Sequence, residues 1–257
     1  LGDVYKRQVN NRKISFANGP RFIGARRADR SLDQFYNHDD EKAKAKDRTY
    51  SEFTDAAVFT KLDVKEEGGN LILTANYKLG NLDKAQWRIH PDGMATLDYT
   101  YNFSGVVDLM GICFDYPEEQ VLSKRWLGAG PYRVWQNRIH GTQYDIWEND
   151  YNDPIPGETF TYPEFKGYFG SVSWMSIRTK EGTISLTNET PDSYIGVYQP
   201  RDGRDRLLYT LPESGISVLN VIPPVRNKVN STDLCGPSSQ PKWVDGPQTG
   251  RLVLRFE

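Results

Sequence analysis

Cysteine is scarce in this chain of 257 residues, which has two Cys, three His and three Met. Cys113 and Cys235 lie far apart, so they form neither a disulfide framework nor a zinc-type C-x-x-C spacing. His38, His90 and His140 have no ligating partner at helical spacing, which excludes the common zinc patterns. No apolar run approaches the roughly 20 residues that cross a bilayer. The opening residues do not read as a signal peptide. Charge of one sign is also missing: 32 basic against 34 acidic side chains leave a formal net charge of -2. No overall field therefore draws the chain to nucleic acid or anionic lipid, and neither a nucleic acid nor a membrane is expected as a partner. A G-x-S-x-G elbow, a P-loop lysine and a three-glycine dinucleotide turn are all absent. No segment carries a sustained apolar helical stripe. The best helix former, DDEKAKAKDR (39–48), has only two alanines to bury and reads as a solvated loop.

Turn signals are plentiful. Gly68-Gly69, Gly80-Asn81, Pro91-Asp92-Gly93 and Ser104-Gly105 recur at intervals that suit consecutive antiparallel strands. NLILTANYKL (70–79) and MATLDYTYNF (94–103) lie between them, the second alternating Ala95, Leu97, Tyr99, Tyr101 and Phe103 on one face. SVSWMSIRT (171–179) and TISLTN (183–188) flank Lys180-Glu181-Gly182 as a hairpin, and GISVLNVI (215–222) and RLVLRF (251–256) supply further strands. Residues 151–163 carry Pro154, Pro156 and Pro163 and read as a long surface connection. The predicted fold class is all-β, a large antiparallel sandwich over residues 9–257. Residues 1–8, LGDVYKRQ, resemble adapter read-through or a linker scar and are set apart from it, which makes the chain an expected fragment of a longer protein.

Acids and aromatics are the residues available for chemistry. Asp145, Glu148, Asp150, Asp153 and Glu164 cluster in sequence, but a glycosidase pair must converge on one sugar bond, and loop acids are more often solvated surface. Asp150 and Asp153, within ENDYND, are weak candidates for a hard cation, because the run lacks the spacing and glycine of a calcium loop. Of the aromatics, Trp126, Trp135, Trp147, Trp174 and Trp243 are candidates to stack on the flat faces of sugars, with core packing as the alternative for each.

RWLGAGPYRVWQNRIHG (125–141) is the densest stretch. Trp126, Gly128, Gly130, Pro131 and Arg138 fall in register on a W-x-G-x-G-P-x-E-N-Y-x-D-R signature and so resemble the C-terminal domain of family two glycoside hydrolases of β-galactosidase type. The chain departs from that signature at Arg133-Val134, Trp135 and Asn137. ISFANGPRFIG (14–24), AQWRIHPDGMATLDY (85–99) and YPEFKG (162–167) follow in the family's order.

The resemblance implies a β-supersandwich similar to galactose mutarotase, of the small-chain type, placed after a catalytic (β/α)8 barrel that carries the acid/base and nucleophile glutamates. A barrel takes roughly 250 residues of alternating strand and helix, a pattern not found here. No catalytic residue is therefore expected in this chain. The parent is expected to hydrolyse terminal β-linked sugars in oligosaccharides or polysaccharides. By order, Trp243 matches a tryptophan that touches sugar in relatives, and Arg133, Trp135 and Arg138 are further substrate-binding candidates, each also able to brace the Gly-Pro turn or meet the barrel. The family implies no cofactor within this chain, a divalent or sodium ion in the parent, possible homo-oligomers, and a bacterial, periplasmic or exported location. The rival readings are a free-standing carbohydrate-binding sandwich, and a sugar epimerase or lyase using His90 or His140 as base.

Overall fold

The computed structural model describes residues 8–9, 12–16, 19–27, 50–52, 56–151, 167–198, 214–224 and 236–257. In chain order the strands are β1 (Gln8–Val9), β2 (Arg12–Lys13), β3 (Arg21–Arg27), β4 (Tyr50–Glu52), β5 (Val58–Glu67), β6 (Asn70–Lys78), β7 (Leu82–Ile89), β8 (Ala95–Asn102), β9 (Gly105–Val107) and β10 (Leu109–Phe114). They continue with β11 (Val121–Gly130), β12 (Gln143–Asp150), β13 (Phe169–Gly170), β14 (Trp174–Thr179), β15 (Gly182–Asn188), β16 (Tyr194–Val197), β17 (Ile216–Val221), β18 (Lys242–Val244) and β19 (Pro247–Phe256). Among the described residues the only helical turns are two 3-10 turns, Glu118–Gln120 and Pro237–Ser239. Segment 39–48, His38, Cys235, Asp153, Glu164 and residues 152–163 of the proline-rich connection lie outside the described residues.

Two antiparallel sheets make the architecture. One has nine strands in the order β12-β11-β14-β15-β19-β8-β7-β6-β5, and the other has six in the order β13-β16-β17-β10-β3-β4. The pairs β1-β2 and β18-β9 stand apart as small ladders. The predicted all-β antiparallel sandwich is the observed class. Its hairpins close where the turn residues stand. Gly68 and Gly69 both hold positive φ, 58° and 78°, as a two-residue turn between β5 and β6 requires.

The strand at 94–103 keeps its period of two, since Ala95, Leu97, Tyr99 and Tyr101 are buried while the residues between them are more exposed. These side chains meet Phe22, Met110, Ile112, Phe114 and Val218 of the smaller sheet in one core that both sheets share. β10 behaves differently, because all six of its residues are buried. Met110, Ile112 and Phe114 face that main core, while Leu109 and Cys113 join Ile23, Ala25, Leu219, Val134, Trp135 and Tyr168 in a second cluster. The outer face of the six-stranded sheet is therefore also covered, and the segment that covers it comes from the tryptophan-rich stretch.

Candidate functional site

The chain leaves β11 through a cis Gly130–Pro131 peptide and passes over the smaller sheet. Val134 and Tyr168 exchange backbone hydrogen bonds of 2.7 and 2.8 Å, and Trp135 and Arg138 close a tight turn with bonds of 3.3 and 2.9 Å. Trp135 is 2% exposed, and its ring meets the Tyr168 ring edge-on, with centroids 5.8 Å apart. The glycines here serve close approach. A Cβ on Gly167 would lie 1.9 Å from the Val134 carbonyl oxygen, and one on Gly130 would enter the Trp147 ring at 2.4 Å. Gly128 and Gly130 are thus the last stretch of a strand packed against neighbours, where the sequence suggested a turn.

Two buried cations hold the ends of β12 and β16. Arg133, 1% exposed, donates through Nη1 to the carbonyl oxygens of Val197 (3.2 Å) and Tyr198, with its guanidinium 4.8 Å from the Phe169 ring centre. Its Nε and Nη2 have no hydrogen-bond partner among the described residues. Burial pushes its pKa down to about 10, which still leaves it protonated at neutral pH. Lys124, also fully buried, donates to the carbonyls of Asp150 (3.1 Å) and Tyr151 (2.6 Å) and lies 5.0 Å from the Tyr151 ring centre. Tyr151 and Tyr198 touch edge to face, so residues 151 and 198 are neighbours. Tyr151 donates its hydroxyl to Glu118, and burial, followed by that carboxylate, raises its pKa.

Trp243 is the contrasting case. It stands on β18 opposite Val106 of β9 and is 70% exposed, more than any other large hydrophobic described. Its lead-in is clipped to the tryptophan-rich stretch: Gln136 Nε2 donates to the carbonyls of Ser238 (2.9 Å) and Gln240 (2.8 Å), and Asn137 Nδ2 donates to Ser239 Oγ at 3.3 Å. The Gln136 backbone N–H donates to Pro223, which ties in the end of β17 as well.

Of the four residues expected to touch sugar, Arg133 and Trp135 are buried as braces. Arg138 is half-buried, 5.8 Å from the Tyr132 ring centre, and Trp243 is presented to solvent. Gln136 and Asn137, which position the strand of Trp243, were not singled out. Their only signal was their place inside the dense stretch, Asn137 where the signature has Asp. Among the other tryptophans, Trp126 is fully buried against Phe169, while Trp147 and Trp174 are partly buried.

The acid cluster does not converge. Residues 143–150 form β12, the edge strand of the larger sheet, so Asp145 faces one way and Glu148 and Asp150 the other. Among the described residues no group of three or more His, Cys, Asp or Glu is placed to hold a metal, and Asp150 is exposed at the strand end. His90 Nε2 shares a hydrogen bond of 3.0 Å with Thr96 Oγ1 on the β7–β8 hairpin. His140 is exposed, and its carbonyl accepts from the Tyr132 hydroxyl at 3.3 Å.

No family model matches the sequence, and no curated protein matches it. Among solved structures, 39 chains match. One of these is a GalM/aldose epimerase homologue from C. elegans, with 7% identity over 77% of this chain and 69% of that one and a TM-score of 0.36. The two-sheet antiparallel architecture of the present chain rests on its own strand pairings.

Proposed function

We propose that this chain is the C-terminal, non-catalytic sandwich of a family two glycoside hydrolase of β-galactosidase type. In this reading Trp243 forms part of the wall of a sugar-binding pocket completed by a catalytic barrel of the same protein. The observation that carries the reading is the presented indole of Trp243, on a strand whose lead-in is fixed by Gln136 and Asn137 of the stretch that resembles the family. An aromatic face held rigidly in water stacks on the C–H face of a pyranose at little entropic cost. The parent would cleave terminal β-linked sugars through its two glutamates, with retention, while this domain positions the substrate. In this reading Arg133 and Trp135 act by holding the surface in place, and Arg138 is a further group for sugar contact.

In the intact enzyme, Trp243→Ala lowers kcat/KM for aryl β-galactosides by on the order of tenfold, about 1.4 kcal/mol, with unchanged folding. The chain alone releases no nitrophenol. Hydrolysis by the isolated chain, or a wild-type kcat/KM in the variant, contradicts the proposal. The same exposed indole also suits a free-standing carbohydrate-binding sandwich. That reading requires saturable sugar binding by the isolated chain at millimolar concentration or below, abolished by Trp243→Ala.

A further inference from the structure

β5 closes one end of the nine-stranded sheet, and its other edge has no strand beside it among the described residues. Nine of its ten residues are exposed, which is unusual for a strand inside a fold of this size. Cross-strand register places Val64 beside Leu73, Leu73 beside Trp87 and Trp87 beside Leu97, so Val64 continues the row of side chains that begins in the core. Val64 is nevertheless 58% exposed, and Phe59, on the same face, is 43% exposed. The opposite face carries Lys61, Asp63, Lys65 and Glu67, alternating in sign, with ion pairs between Lys61 and Asp63 and between Lys65 and Glu67. The register irregularity of β5 falls between Phe59 and Lys61, which leaves 61–67 as a regular ladder.

We propose that β5 pairs antiparallel with β5 of a second copy of this chain, about a two-fold axis through Val64, to join two larger sheets edge to edge. The charge pattern selects both the partner and the register. With Val64 opposite itself, Lys61 stands opposite Glu67 of the second copy and Asp63 opposite its Lys65, so every charge on that face meets its opposite. Moving the axis to Asp63 sets Lys61 against Lys65 and Asp63 against itself, and moving it to Lys65 sets Asp63 against Glu67. Opposite charges directly across an antiparallel pair stabilise it and like charges destabilise it. The pairing also removes an open edge and covers the exposed Val64 side chains with each other. Isolated charges that merely guard an edge need no such symmetry.

Sedimentation across a range of concentrations tests the pairing. The wild-type chain is expected to pass from monomer to dimer. Asp63→Lys, which sets like charges opposite one another on both sides of the axis, weakens dimerisation by on the order of tenfold or more. The double exchange of Asp63→Lys with Lys65→Asp restores it. Both positions are exposed, so circular dichroism stays unchanged. In a second arm, Val64→Cys forms a disulfide-linked dimer on mild oxidation, because directly opposite residues lie at roughly 4.5–5.5 Å between Cα atoms. Glu66→Cys, displaced from the axis, cross-links no faster than the wild-type chain. A wild-type chain that stays monomeric, a double exchange that fails to rescue, or equal cross-linking at 64 and 66 overturns the proposal.

Discussion

Arg133 shows how a residue with the chemistry of a ligand-binding group can be committed to structure. Its guanidinium satisfies two carbonyls at the end of β16 and stacks on Phe169, yet leaves Nε and Nη2 without a hydrogen-bond partner among the described residues. Truncation to Ala unpairs the carbonyls and removes the stem, and is expected to cost about 2 kcal/mol in a urea titration. Arg133→Met keeps the stem and removes a desolvated charge, so it costs less than Arg133→Ala. Nothing in the sequence distinguished this arginine from the half-exposed Arg138, because burial follows from the path of the loop. Tyr99 makes a pH prediction. Burial pushes its hydroxyl up to about 12, with only a long contact of 3.4 Å to Thr190 Oγ1 in compensation. The folded state thus holds this proton more tightly than the unfolded chain does. The associated stability is complete below pH 10 and is lost as pH rises towards 12, amounting to roughly 3 kcal/mol. Tyr99→Phe should flatten the fall in stability across that window in denaturant titrations. A decline as steep as wild type removes Tyr99 as its source.

At the scale of elements, the hairpins were readable and the strands around the site were not. β6, β8, β14 and β15 stand where alternating or β-rich runs meet turn residues, because one face packs and the other meets water or a polar layer, whereas β17 is legible from its β-rich run alone, since both of its faces are buried. β10 lacks that alternation because both of its faces are covered, so LMGICF shows no period of two. β12 reads as an acidic loop because an edge strand carries charges on its solvent side. Gly128 and Gly130, the end of β11, suggest a turn in the sequence, but they answer to packing against Val172, Gly170 and Trp147 rather than to positive φ. The covering of the smaller sheet by residues 131–138 depends on the Val134–Tyr168 bridge. Gly167→Ala drives a methyl group into the Val134 carbonyl and should cost more than about 2 kcal/mol. It should also shift Trp135 emission to longer wavelength. A variant with wild-type stability and emission shows that the bridge is dispensable.

Over the whole molecule, one tryptophan-rich stretch organises one side of a two-sheet sandwich. It shields the back of the smaller sheet, holds residue 198 at the end of β16, and clips the lead-in to Trp243. The sandwich and this stretch were legible from turn spacing and from the Gly-Pro signature. The division of labour within the stretch was not, since buried braces and presented groups share the same residue types. Under the proposed function, hydrolysis belongs to a catalytic barrel of the same protein and sugar contact to this domain. The reading frame upstream of Val9 in the source DNA tests that assignment most directly. That frame is expected to continue without interruption into a (β/α)8 barrel with two glutamates at its strand ends. A start codon immediately before Val9 would contradict it.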